Sequence, residues 1–174
     1  DHVRRREQAL AIRALCRRHD AAFVVNDDLA LALEVGADGV HLGGSDLPCA
    51  EARRQAGTGL LIGVSCYDSV SSARAAIAAG ASYVAFGSAF PSPTKPDAVS
   101  ATLPLYRRAA AELGVPVVAI GGISKRNIRQ VYDTGVRYCA VISGINRAPD
   151  PVAAFQQLET ILSPFPPGKQ AKPA

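Results

Sequence analysis

At 174 residues, with 48% hydrophobic and 20% charged residues, the chain has the composition of one soluble domain that buries a real core, which excludes a largely disordered protein. The formal charge of +4 comes from basic residues spread through helical segments, and only five tyrosines and five phenylalanines are available for stacking, so no nucleic-acid surface is expected. The uncharged run from Ala75 to Thr94 has about the length of a membrane span. Gly80, Gly87, Pro91 and Pro93 break it, which fits a helix, a turn and a strand in succession and predicts no membrane association.

The amino terminus, Asp1-His2-Val3-Arg4-Arg5-Arg6, lacks the n-region and h-region of a secretory signal and enters an amphipathic helix, as the middle of a longer chain would. Cations oppose the helix dipole at such a start, so Arg4, Arg5 and Arg6 read as a solvated basic face. Cys16, Cys49, Cys66 and Cys139 form no CxxC pair and have no histidine at zinc-ligand spacing; they read as reduced, mostly buried thiols of a cytoplasmic protein.

The first predicted strand, Ala22 to Asn26, ends in Asn26-Asp27-Asp28, and Asp28 has the place and type of a cap for the helix starting near Leu29. That helix stops at Gly36, a left-handed cap that returns the chain to a second strand, Gly39 to Gly43, followed by Gly44-Ser45-Asp46. His41 lies within it between Val40 and Leu42 and reads as a hydrogen-bonded rim histidine rather than a ligand or base. The third strand, Leu61 to Cys66, carries Ser65 at its end; with no base evident nearby, Cys66 reads as an inert thiol. A helix then ends at Gly80 and a fourth strand runs from Tyr83 to Ser88.

After that strand comes Phe90-Pro91-Ser92-Pro93-Thr94-Lys95-Pro96-Asp97, in which three prolines stiffen a segment that presents two hydroxyls and an amine to an anion. A fifth strand, Val115 to Gly121, leads into Gly122. Gly135 caps the next helix, and a sixth strand, Tyr138 to Ser143, ends in Ser143-Gly144. Residues 1–162 are expected to form the folded domain, and 163–174, rich in proline, a disordered tail.

Strict alternation of helix with apolar strand predicts a parallel α/β fold, open or closed into a barrel. In both architectures ligands gather at the carboxyl ends of strands. Every such end here is polar or glycine, whereas the opposite ends carry Ala21, Leu60 and Pro116.

Six of these elements in their order, Val25-Asn26-Asp27-Asp28, Gly36-Ala37-Asp38-Gly39-Val40-His41-Leu42-Gly43, Gly63-Val64-Ser65, Pro91-Ser92-Pro93-Thr94-Lys95, Gly121-Gly122-Ile123 and Val141-Ile142-Ser143-Gly144, resemble the thiamine phosphate synthase family. The resemblance runs from about Arg5 to about Leu162. It implies a (β/α)8 TIM barrel, here without its first two strands and first helix, so that six strands are visible and residues 1–162 form an incomplete TIM-barrel catalytic domain. It also implies a transferase of thiamine biosynthesis that condenses a hydroxymethylpyrimidine diphosphate with a thiazole phosphate.

By the same resemblance, Asp27 and Asp46 are ligands of Mg2+, a hard cation suited to carboxylate, phosphate and water oxygens. Asn26 and Ser65 hold the pyrimidine, with Ser65 and Lys95 as catalytic residues and Lys95 on the diphosphate. Ser92, Pro93 and Thr94, with Gly122, Ile142 and Ser143, form the thiazole phosphate site. The family usually has threonine at Ser92 and glutamine at Gly44, and the second change loosens the loop bearing Asp46. Its diphosphate-binding glutamine, arginine and lysine lie on a strand upstream of Asp1, so an amino-terminal truncation, or one part of a fused chain, is expected, with strand edges that invite self-association. The partners implied are small phosphorylated substrates. Two alternatives stand beside the synthase, a thiazole tautomerase-like enzyme and a catalytically inactive phosphate-binding module; Asp27, Asp46 and Lys95 together favour the synthase.

Overall fold

The computed structural model describes residues 1–91 and 99–162, so Ser92, Pro93, Thr94, Lys95 and the predicted tail lie outside the described residues. The chain folds as two compact units, Asp1–Ala85 and a second from Phe86 onward. Among the described residues, no helix is long and apolar enough to cross a membrane.

The first unit begins with α1 (His2–Arg18), whose end is fixed by the Asp1 carboxylate accepting from the Val3 N–H at 3.0 Å. It continues with β1 (Val24–Asn26), α2 (Leu29–Val35), β2 (Gly39–Leu42), α3 (Cys49–Ala56), β3 (Leu61–Tyr67) and α4 (Val70–Ala78). The strands lie side by side in chain order. β1 pairs in parallel with β2, and β2 with β3. Val40, Leu42 and Ile62 are fully buried in a core with Leu31, Ala32 and Val35 of α2. Because side chains alternate along a strand, the residues between them take the other face. The register aligns Asn26 with His41 and His41 with Gly63, so these three share that face.

Two of the three arginines expected to form a solvated face are ion-paired. Arg5 reaches Asp28 at 2.8 Å and Arg6 reaches Glu34 at 2.7 Å, so the charge that opposes the dipole of α1 is spent on docking it to α2. Gly36 closes α2 in the left-handed region, as its position foretold.

Arg53 on α3 is a structural hub. Its guanidinium donates to the carbonyls of Gly57, Leu60 and Gly80, at 2.7 to 3.0 Å, and to Ser82 Oγ at 3.0 Å, fastening the turns that enter β3 and β4 (Tyr83–Phe86). Charge-assisted bonds of this kind are individually worth about 1.5–3 kcal/mol, and only the planar fork reaches all four oxygens. Arg53→Ala is therefore expected to lower unfolding stability by about 3 kcal/mol, with Arg53→Lys recovering less than half; chemical denaturation of the three proteins measures it.

The second unit contains α5 (Leu103–Glu112), β5 (Val117–Ile120), α6 (Ile128–Tyr132), β6 (Tyr138–Ala140), α7 (Ser143–Asn146) and α8 (Pro151–Leu162), with β5 and β6 paired in parallel. Tyr106 of α5 is fully buried, and its hydroxyl donates to the Phe86 carbonyl at 2.7 Å. β6 is shorter than its apolar sequence suggests. Tyr138 to Ser143 reads as one strand, but the chain leaves it at Ala140, because the Ile142 carbonyl accepts from the N–H groups of Ile145 and Asn146 and Ser143 opens α7 instead.

Candidate active site

In the first unit the sites read from the sequence fall at strand ends. Asn26, exposed, is the last residue of β1. Asp27 follows it in a left-handed conformation, φ 67°, with its N–H on the His41 carbonyl at 2.8 Å. Aspartate tolerates that region better than most residues. Asp28 accepts from the Leu31 N–H at 2.9 Å and pairs with Arg5, which gives it the capping role expected of it. Asp46, half-buried, accepts from the Gly43 N–H at 2.6 Å through one carboxylate oxygen. That bond orients the carboxyl, and the Gly44 N–H donates to the Tyr67 hydroxyl at 3.2 Å, so two contacts hold the turn that a glycine at position 44 was expected to loosen.

Ser65 is tied to His41, and through it to Tyr83, a chain the sequence did not connect. His41 Nε2 lies 2.9 Å from Ser65 Oγ, and His41 Nδ1 lies 3.0 Å from the Tyr83 hydroxyl. The Tyr83 ring stacks against the imidazole with centroids 5.6 Å apart. Room for it comes from Gly63, where a Cβ would fall inside the tyrosine ring. Burial pushes the His41 pKa down and outweighs the opposing field of Asp46. Burial also raises Cys66 to about 11, in keeping with an inert thiol.

Among the described residues, no three His, Cys, Asp or Glu side chains gather as a metal nest. Asp27 and Asp46 supply hard oxygen donors after β1 and β2, a set that suits Mg2+ when phosphate oxygens and water complete its shell.

In the second unit, Gly122 has φ 63° and lies against the backbone of Phe90 and Pro91, so close that a Cβ would collide with both carbonyl oxygens. The Gly122 carbonyl accepts from Asn127 Nδ2 at 2.9 Å, and Asn127 Oδ1 accepts from the Ser124 N–H at 2.8 Å, which pins the glycine turn. Gly144 brings the start of α7 onto the Ile123 carbonyl, where a Cβ would stand at 2.9 Å. Gly122 and the Ile142-Ser143 turn are thus presented from neighbouring backbone segments. Ser88 ties the segment after β4 to the start of the following one: its N–H donates to the Val99 carbonyl at 2.5 Å and its carbonyl accepts from the Ala101 N–H at 2.9 Å.

A model of the thiamine monophosphate synthase family matches residues 1–145. The chain is 52% identical over 162 residues, 93% of its length, to the thiamine-phosphate synthase of Thioalkalivibrio sulfidiphilus, of which it covers 77%. It is 52% identical to that of Chromobacterium violaceum over 91% of its own length and 76% of the relative. A solved thiamine phosphate pyrophosphorylase from Pyrococcus furiosus superposes with a TM-score of 0.83 at 41% identity, covering 90% of this chain and 75% of that one. A 3-hexulose-6-phosphate synthase with a TM-score of 0.69 at 23% identity shares the fold alone. The α/β fold expected from the alternation of elements is borne out by these likenesses, and the chain belongs to the thiamine monophosphate synthase family.

Proposed function

We propose that this chain joins 4-amino-2-methyl-5-hydroxymethylpyrimidine diphosphate to thiazole phosphate, giving thiamine phosphate and free diphosphate. The observation that carries the reading is the identity of about half of all residues, over nearly the whole chain, with thiamine-phosphate synthases. It favours the synthase over a tautomerase or an inactive module. Small phosphorylated substrates and a cytoplasmic setting belong to the same reading, the latter supported by the cysteine usage of the sequence.

In this reading the bond between the pyrimidine methylene carbon and the diphosphate oxygen breaks with its electron pair leaving on oxygen, and the thiazole nitrogen then forms the new carbon–nitrogen bond. Asn26 and Ser65 orient the pyrimidine through an amide and a hydroxyl. Asp27 and Asp46 hold Mg2+, which when bound offsets the charge of the diphosphate. Lys95 stabilises the charge growing on the leaving group, while Ser92, Pro93, Thr94, Gly122, Ile142 and Ser143 hold the thiazole phosphate through hydroxyls and backbone amides that approach an anion closely. The protein itself supplies no nucleophile to this reaction.

Asp27→Asn and Asp46→Asn are each expected to weaken Mg2+-dependent binding of the pyrimidine diphosphate roughly 10- to 100-fold, the worth of one charge-assisted contact, and to leave thiazole phosphate binding within about twofold. Calorimetry with both ligands decides it. Equal losses for the two would mean that the aspartates only support the scaffold.

A further inference from the structure

We propose that Tyr83 is a positioning residue that acts through His41: it fixes the imidazole with its hydrogen on Nε2, so that Ser65 Oγ accepts from the histidine and its own hydrogen is left to donate to the pyrimidine substrate. The inference rests on the reading of Ser65 as a substrate contact. A neutral imidazole has one donor and one acceptor nitrogen, and both nitrogens of His41 are engaged, at 3.0 Å by the Tyr83 hydroxyl and at 2.9 Å by Ser65 Oγ. Only two arrangements satisfy both contacts. In the first, Tyr83 donates to Nδ1, Nε2–H donates to Ser65, and the hydrogen without a protein partner is that of Ser65. In the second, Ser65 donates to Nε2, Nδ1–H donates to Tyr83, and the unpaired hydrogen belongs to Tyr83.

The fold favours the first arrangement. Tyr83 opens β4 and its ring is packed over Gly63 and stacked on His41, and among the described residues its hydroxyl has no acceptor other than His41. Leaving that half-buried hydroxyl unpaired carries a desolvation cost. Ser65 stands further along β3 than Gly63, toward the strand's carboxyl end, where a ligand takes up its hydrogen. An orienting group behind a substrate-binding hydroxyl is the same logic that fixes the tautomer of a histidine by the bond its other nitrogen makes.

Nitrogen-15 NMR of the labelled protein tests this. The chain has three histidines, and the His41 signals are assigned by their loss in His41→Gln. The expected spectrum shows His41 neutral with hydrogen on Nε2, and Tyr83→Phe shifts it to a mixture of tautomers or to the Nδ1–H form. A native protein with hydrogen on Nδ1, or a Tyr83→Phe protein that keeps the Nε2–H form unchanged, overturns the proposal.

Kinetics supply a second, independent readout. Tyr83→Phe is expected to lower turnover about tenfold, the order of one misdirected hydrogen bond, and to change it less than twofold when Ser65 is already alanine. The glutamine of His41→Gln carries its own amide donor, so adding Tyr83→Phe to that variant is expected to cost less than twofold. The same tenfold loss in all backgrounds would make Tyr83 a packing residue only and would sink the inference. Should Ser65→Ala leave turnover unchanged, it is the assignment of Ser65 to the substrate that fails, while the NMR result still decides the tautomer.

Discussion

Replacing Gly122 with alanine is expected to raise the Michaelis constant for thiazole phosphate about 10- to 100-fold, with the constant for the pyrimidine diphosphate changed less than about twofold. Two costs act at this position. An alanine at φ 63° pays about 1–2 kcal/mol for the left-handed backbone alone. The added Cβ also collides with the carbonyl oxygens of Phe90 and Pro91, and these are backbone atoms that cannot rotate aside as a side chain can. The Phe90 N–H is bonded to the Gly121 carbonyl at 3.1 Å, and Ser88 clamps Val99 and Ala101, so the entry to the loop is held from both ends. A collision there moves either the loop or the glycine turn away from the anion that both are read to bind. Steady-state kinetics with each substrate varied in turn measures it. A fall in turnover with both Michaelis constants unchanged would show that Gly122 serves only the fold.

What the sequence made legible was local. Asp28 as a cap and Gly36 as a left-handed stop are signals confined to a few residues, and both hold because the physics behind them is local. The strand ends were readable because alternation of helix and apolar strand determines which end of each strand carries the polar residues. The strand spans were less so: Val141-Ile142 is β-branched and apolar, yet hydrogen bonds to the Ile142 carbonyl turn the chain into α7. Ser65 and Tyr83 lie 24 and 42 residues from His41, and only the register that sets His41 beside Gly63 brings them together. Nothing short-range in the chain marks that partnership. A glycine in the middle of β3 was the one available hint, since such a residue often marks the close approach of another group. Arg53 was equally silent, because its partners are backbone oxygens, which every sequence offers.

The largest effect is expected at Lys95, where Lys95→Ala should lower turnover about 10²–10³-fold while raising the Michaelis constant for the pyrimidine diphosphate less than about tenfold. In the reaction proposed above, the ground-state charge of the diphosphate would already be met by solvent and bound Mg2+. As the carbon–oxygen bond breaks, a further electron pair settles on the leaving oxygen, and an amine beside it stabilises the transition state more than the bound substrate. An interaction of that kind appears in kcat and in kcat/KM together, whereas a plain anchor appears in KM. Lys95→Arg keeps the charge on a longer, planar group and is expected to recover only part of the rate, because a fixed point charge and a fork do not fill the same space. Single-turnover measurement of diphosphate release separates the chemical step from product departure. A Lys95→Ala protein whose chemical step keeps its native rate, with only the Michaelis constant raised, would reduce this lysine to a substrate tether and leave the leaving-group charge to Mg2+ alone.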